Sequence, residues 1–168
     1  MKHIELAKIE DIDLIMNIIK ACTAHMIENG IFQWNDKYPT KQSFIDDINN
    51  DDLFVLKVNS KIIGCACASF DMDEFYETIV WDSECKKSIY VHRLAVHPSN
   101  QGRGYARFFL DFIEDYARKN GCGSVRLDTF SMNKKNNSMY LKLGYKKLGK
   151  IYFRDQSDMP FNCYEKLL

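Results

Sequence analysis

The chain has no excess of charge of either sign: 23 Lys and Arg residues stand against 23 Asp and Glu residues among 168. Surfaces that grip nucleic acid or anionic lipid need a basic excess, so nothing here supports such a partner. It has no CxxC pair, and Cys22, Cys65, Cys67, Cys85, Cys122 and Cys163 are scattered without a histidine at zinc spacing. No metal site is expected from that pattern. No apolar run approaches the roughly 18 residues of a membrane span, and charges interrupt every apolar stretch of "MKHIELAKIEDID", which therefore does not read as a signal peptide. The expectation is a cytoplasmic protein with reduced thiols. No repeat, low-complexity run or linker divides the chain, which predicts one domain over residues 1–168.

What is present reads as a globular chain: 46% hydrophobic, 13% aromatic and 27% charged. "HIELAK" alternates as a short strand. Ile12, Ile15, Met16, Ile19, Cys22 and Met26 then recur at spacings of three and four, the stripe of an amphipathic helix. A second helix is expected from about Thr40, with Phe44, Ile45 and Ile48 on one side. "LFVLKV" and "KIIGCACASF" flank the two-residue turn Asn59-Ser60 as a hairpin, with Cys65 and Cys67 on one face as small core residues. "SIYVHRLAV" and "SVRLDTF" read as strands, and so do "KKLGKIYF" and "NCYEKLL". Helices are expected over 107–119 and within "NKKNNSMYLKLGY", each ended by a glycine. The order β-α-α-β-β-β-α-β-α-β-β is a mixed α/β fold.

One junction asks for a reason. After "SIYVHRLAV" come His97-Pro98 and then "SNQGRGYA", with Gly102 and Gly104 where a strand hands over to a helix. The first N–H groups of a helix have no partner within it, and its dipole places positive charge there. Glycines remove the Cβ atoms that would hold an anion away from those amides, and Arg103 adds a charge. The spacing is neither that of a P-loop, which needs G-x-x-x-x-G-K-[ST], nor that of a dinucleotide fingerprint, since Arg107 stands where a third glycine belongs. A tight connection that binds nothing stays open on the glycines alone.

Gln101-Gly102-Arg103-Gly104-Tyr105-Ala106 resembles the [RQ]-x-x-G-x-[GA] signature of the GNAT superfamily of acyl-CoA-dependent N-acetyltransferases. Downstream, the block from Asn133 to Tyr145 is similar to that family's N-x-x-A-x-x-L-Y-x-K-x-G-[FY] motif, with Asn136 in the usual place of Ala. The resemblance implies a mostly antiparallel central sheet of about seven strands with one splayed parallel pair, flanked by about four helices. It implies acetyl-CoA as cofactor. The pantetheine arm would pair with Leu94, Ala95 and Val96, and the pyrophosphate would sit on the amides of Gln101 to Ala106. Asn133 and Asn136 would approach the cofactor arm, and Tyr140 would protonate the departing thiolate. Homodimers are common in the family, though no stretch here specifies one.

An ammonium must lose a proton before it attacks a thioester. Strict alternation on "IYVHRLAV" puts Tyr90, His92, Leu94 and Val96 on one face, and Ile89, Val91, Arg93 and Ala95 on the other. His92 matches a histidine in the similar strand of the arylalkylamine N-acetyltransferases, which implies a general base titrating near neutrality. A plain strand histidine is the other reading. His97 reads as a turn or cofactor-rim residue, while His3 and His25 read as structural. Acceptor binding is expected from "GIFQWNDKYP", through Trp34 and Tyr38, and from the connection 71–87, through Phe75 and Trp81 beside several acids. Aromatic faces with carboxylates suit an ammonium; the same residues could equally be core plugs and a solvated rim. No cysteine falls in either motif, so direct attack is expected. The readings carried forward are an acetyltransferase of a small-molecule amine, a protein or peptide acetyltransferase, and a non-catalytic acyl-CoA-binding module.

Overall fold

The computed structural model describes residues 1–168. The elements follow the expected order: β1 (Lys2–Leu6), α1 (Ile12–Glu28), α2 (Lys41–Asn49), β2 (Leu53–Val58), β3 (Lys61–Ser69), β4 (Ser88–Val96), α3 (Tyr105–Lys119), β5 (Ser124–Phe130), α4 (Lys134–Lys142), β6 (Lys146–Ile151) and β7 (Phe161–Leu167). The strands form one seven-stranded sheet in the order β1-β2-β3-β4-β5-β7-β6. Every pairing is antiparallel except that of β4 with β5.

Alternation gives the sheet two apolar faces, and each helical stripe covers one of them. On one side α3 buries Phe109, Leu110, Ile113 and Ala117 against Phe54, Leu56, Ile89, Val91, Val125 and Leu127, and α4 adds Tyr140. On the other, α1 and α2 bury Ile12, Ile15, Ile18, Ile19 and Phe44 against Leu53, Val55, Cys65 and Cys67. The two cysteines share a face as expected. A third cluster, around Tyr76, Tyr90, Phe130 and Phe161, lies under the 71–87 connection. The Asn59-Ser60 turn has φ of 49° and 64°, the doubly left-handed geometry that matches the twist of a two-residue hairpin.

Strict alternation fails on β4. Cys67 pairs with His92 and Cys65 with Ala95, so Arg93 and Leu94 together face the single residue Ala66. This is a β-bulge, and Arg93 occupies the left-handed region at φ 52°. The phase of the strand shifts at that point. Ile89, Val91 and Leu94 lie on the α3 side, whereas Ala95 joins the α1–α2 side and His92 packs near Tyr76. The expectation that His92 and Leu94 share a face is therefore corrected, because the extra residue exchanges the faces of everything after it. At Gly64 the bulged strand approaches closely: a Cβ there would lie 2.5 Å from the Ala95 carbonyl oxygen.

Candidate active site

The parallel pairing of β4 and β5 runs only from Ser88 opposite Ser124 to Val91 opposite Leu127. Beyond it the bulge turns β4 away, and the strands part. A cavity of about 450 Å³ occupies the opening, a size in the range of small-molecule sites. Its lining joins both sides of the sheet. Leu94, Leu127 and Tyr140 come from the α3–α4 side, Trp34, Tyr38 and Asp47 from the α1–α2 side, and Phe75 from the 71–87 connection.

On the α3 side, β4 leads into the glycine loop. Gly102 and Gly104 take φ of 76° and 80°, and a Cβ at either would meet nothing within 4 Å. Gly104 is the N-cap of α3 and supplies no capping side chain. The backbone N–H groups from Gly102 through Arg107 accordingly have no acceptor in the protein. The Gln101 side chain donates to the Val96 carbonyl at 3.0 Å and accepts from Lys135 Nζ at 3.3 Å, which ties the loop to β4 and α4. A row of free amides at a helix start, flanked by Arg103 and Lys135, suits a pyrophosphate.

Tyr140 on α4 is 4% exposed, yet its hydroxyl has no hydrogen-bond partner and it lines the cavity. Burial, then the nearby Asp128 carboxylate, pushes its phenol above the ordinary range, so it stays protonated at neutral pH. Asn136, also on the lining, donates to Thr129 Oγ1 at 3.3 Å. Asn133 caps α4 by accepting from the Asn136 N–H at 3.1 Å and donates to Gln33 Oε1 at 3.1 Å. Both ends of its amide are thus engaged within the protein, and it is not part of the lining.

Across the gap, His92 lines the cavity with no hydrogen-bond partner for its ring. Burial, reinforced by the Arg93 charge, pulls its pKa down to about 4. The expected titration near neutrality is corrected accordingly: this imidazole is neutral throughout the physiological range. The neighbouring strand supplies what the sequence reading missed. Asp128 on β5 lines the same cavity and accepts a hydrogen bond from the Tyr76 hydroxyl. Burial raises its pKa to about 6, against the opposing effect of the Tyr76 bond. Alternation of "SVRLDTF" carried the signal, since Val125 and Leu127 face one core and Asp128 must face the other way.

Trp34, Tyr38 and Phe75 line the cavity, although Trp34 is also a core residue at 6% exposure. Trp81 does not. Its ring lies 4.5 Å from the Arg126 guanidinium and packs against Tyr76, and its indole N–H has no partner. The second half of the 71–87 connection is tied down there: Glu165 accepts the N–H groups of Asp82 and Ser83 at 2.6 and 3.2 Å, Ser124 Oγ at 2.7 Å and Arg126 Nε at 2.9 Å. Only the first half, from Asp71 to Phe75, reaches the cavity. His97 hydrogen-bonds Ser99 at 2.8 Å in the turn, and His3 pairs with Glu5 at 3.1 Å.

The same arrangement of sheet and helices occurs in solved structures. A GNAT-family acetyltransferase from Streptococcus agalactiae is 27% identical, with a TM-score of 0.84 over 99% of this chain and 95% of that one. A protein from Staphylococcus aureus is also 27% identical, with a TM-score of 0.75 over 98% of this chain and 97% of that one. yncA from Salmonella typhimurium, solved with its cofactor acetyl-CoA, shares the fold at 17% identity and a TM-score of 0.73, covering 100% of this chain and 94% of that one. No curated protein matches the chain. The model of the Acetyltransferase (GNAT) family matches residues 14–145, which takes in the splayed strands, the glycine loop and α4. The chain belongs to the acetyltransferase (GNAT) family.

Proposed function

We propose that the protein is an acetyl-CoA-dependent N-acetyltransferase acting on a small cationic primary amine by direct attack on the thioester. The observation that carries this reading is the charge of the cavity. Its lining holds Asp47, Asp52, Asp71, Asp73 and Asp128 against one cation, Arg93, which Asp47 already neutralises at 2.6 Å. No basic side chain lies within 4 Å of the carboxylates of Asp52, Asp71, Asp73 or Asp128. In a chain without net charge, such a pocket attracts an ammonium and repels an anion.

The residues fit acetyl-CoA. The free amides of Gly102 to Ala106 and the Gln101 loop would hold the pyrophosphate, Leu94 to Val96 would pair with the pantetheine, and Asn136 would border it. Acetyl-CoA supplies the acyl group in activated form. Asp128 takes the proton of the bound ammonium. With a pKa of about 6 against about 4 for His92, it is ionised at neutral pH and the stronger base of the two. His92 offers the amine a neutral ring nitrogen, and Phe75 and Tyr38 shelter its carbon chain. Tyr140 gives its proton to the departing thiolate. We place the reaction in the cytoplasm, where six free cysteines stay reduced.

An initial-rate screen of CoA release over alkylamines, polyamines, amino acids, aminoglycosides, neutral arylamines and peptides tests the substrate class. The expected result is turnover confined to aliphatic cationic amines; a preference for neutral arylamines or for peptides would overturn it. Tyr140→Phe should lower kcat by about 100-fold or more while acetyl-CoA affinity changes little. Full turnover in that variant would remove Tyr140 from the acid role.

A further inference from the structure

A residue other than glycine enters the left-handed region only when its surroundings hold it there. At Arg93 the strong holding contacts lie on the side chain, beside a long one from Cys65 Sγ to its carbonyl oxygen at 3.9 Å. Its Nε donates to Asp47 Oδ2 at 2.9 Å, Nη2 reaches both Asp47 oxygens at 2.6 Å, and Nη1 donates to the Tyr38 hydroxyl at 3.1 Å. The guanidinium lies 5.9 Å from the centre of the Phe44 ring, and Asp47 is 8% exposed. Stability does not account for such a pair, because a buried ion pair can commonly be replaced by apolar residues of similar volume without loss. Direction does account for it: a forked, two-pronged bond fixes where the Arg93 backbone lies relative to α2.

We propose that Asp47, acting through Arg93, is a positioning residue that holds the β4 bulge in place and thereby sets the affinity for acetyl-CoA. Were Arg93 to return to extended backbone, the two-against-one register at Ala66 would slip by one residue. Leu94 would then leave the α3 side of the gap, and β4 would run on alongside β5 past Val91. The segment Leu94 to Val96 would no longer border an opening. The inference rests on the reading of that opening as the acetyl-CoA site. It assigns to α2, on the acceptor side of the sheet, control over the donor side.

Calorimetric titration with acetyl-CoA of the wild type, Asp47→Ala and the double variant Asp47→Ala/Arg93→Gly tests it. Glycine takes a positive φ without a Cβ penalty, so the double variant keeps its bulge with no lock. Asp47→Ala should bind acetyl-CoA about tenfold more weakly, the factor to which the left-handed penalty of a side-chain-bearing residue converts. The double variant should recover to within about threefold of the wild type, although its melting temperature stays below the wild type's. Wild-type affinity in Asp47→Ala, or a double variant as weak as the single one, would overturn the proposal. If Asp47→Ala does not fold, Asp47→Asn keeps the side chain's shape and serves in its place against Asp47→Asn/Arg93→Gly, with the same two outcomes deciding. A wild type that binds no acetyl-CoA overturns the functional reading and this one together; normal wild-type binding with insensitive Asp47 variants overturns this one alone.

Discussion

Asp128→Asn is expected to lower kcat/KM for the amine by about 100- to 10,000-fold, the range a positioned general base supplies. Asparagine has nearly the same shape, and its carbonyl oxygen can still accept the Tyr76 hydrogen bond, so the site keeps its form while losing its base. The pH dependence gives a sharper signature. In the wild type kcat/KM should fall as pH drops through about 6, where Asp128 takes up its proton, and the variant should lack that limb. His92→Gln should leave it in place, since the imidazole titrates at about 4. Folding stability moves in the opposite direction to activity. The folded chain raises this carboxyl from 3.8 to about 6, so it binds the proton more tightly than the unfolded chain does. Above pH 6 that difference works against folding by about 3 kcal/mol, and it fades as pH falls toward 4. Asp128→Asn should therefore resist denaturant better than the wild type at pH 7, with the gap closing near pH 4. A variant with more than a third of wild-type kcat/KM would contradict the base assignment.

Glu165→Ala carries the largest expected loss of stability, about 3 to 5 kcal/mol by denaturant unfolding, because it strands Arg126 in the interior without its counterion. Four donors converge on this carboxylate, two of them backbone N–H groups of the 71–87 connection. Its removal should also loosen Asp82 and Ser83 and expose their amides to hydrogen exchange. The paired variant Arg126→Leu/Glu165→Leu should regain most of the stability, since two apolar residues leave no buried charge unpaired. A loss below about 1 kcal/mol in Glu165→Ala would mean that water or another group compensates Arg126.

The order of elements was legible because its signals are local: spacings of three and four in α1 and α3, alternation in β1, apolar runs flanking a two-residue turn in β2 and β3, and glycine after α1, α3 and α4. Both motifs were legible too, because their chemistry is local. Free amides at the start of α3 need only a glycine turn beside them. The rest of the site depends on contacts distant in sequence. The bulge at Arg93 is held by Asp47, 46 residues away, and periodicity cannot report a residue that breaks it. Trp81 reads as a cation-binding aromatic among acids, and the cation it meets is the protein's own Arg126. Alternation of "SVRLDTF" turns Asp128 away from the α3 core, but only the fold brings Tyr76 and the cavity to it. The strand pattern singles out His92 but not its titration, which follows from burial rather than from residue type.

We hold that the opening between β4 and β5 receives acetyl-CoA from the α3 side. Isothermal titration of the wild-type protein with acetyl-CoA tests it most directly. The expected result is saturable one-to-one binding that is lost or strongly weakened when Gly102 and Gly104 are both replaced by valine, which strains their positive φ and crowds the amides of the loop. The absence of a binding heat, or equal binding by the valine variant, would contradict it.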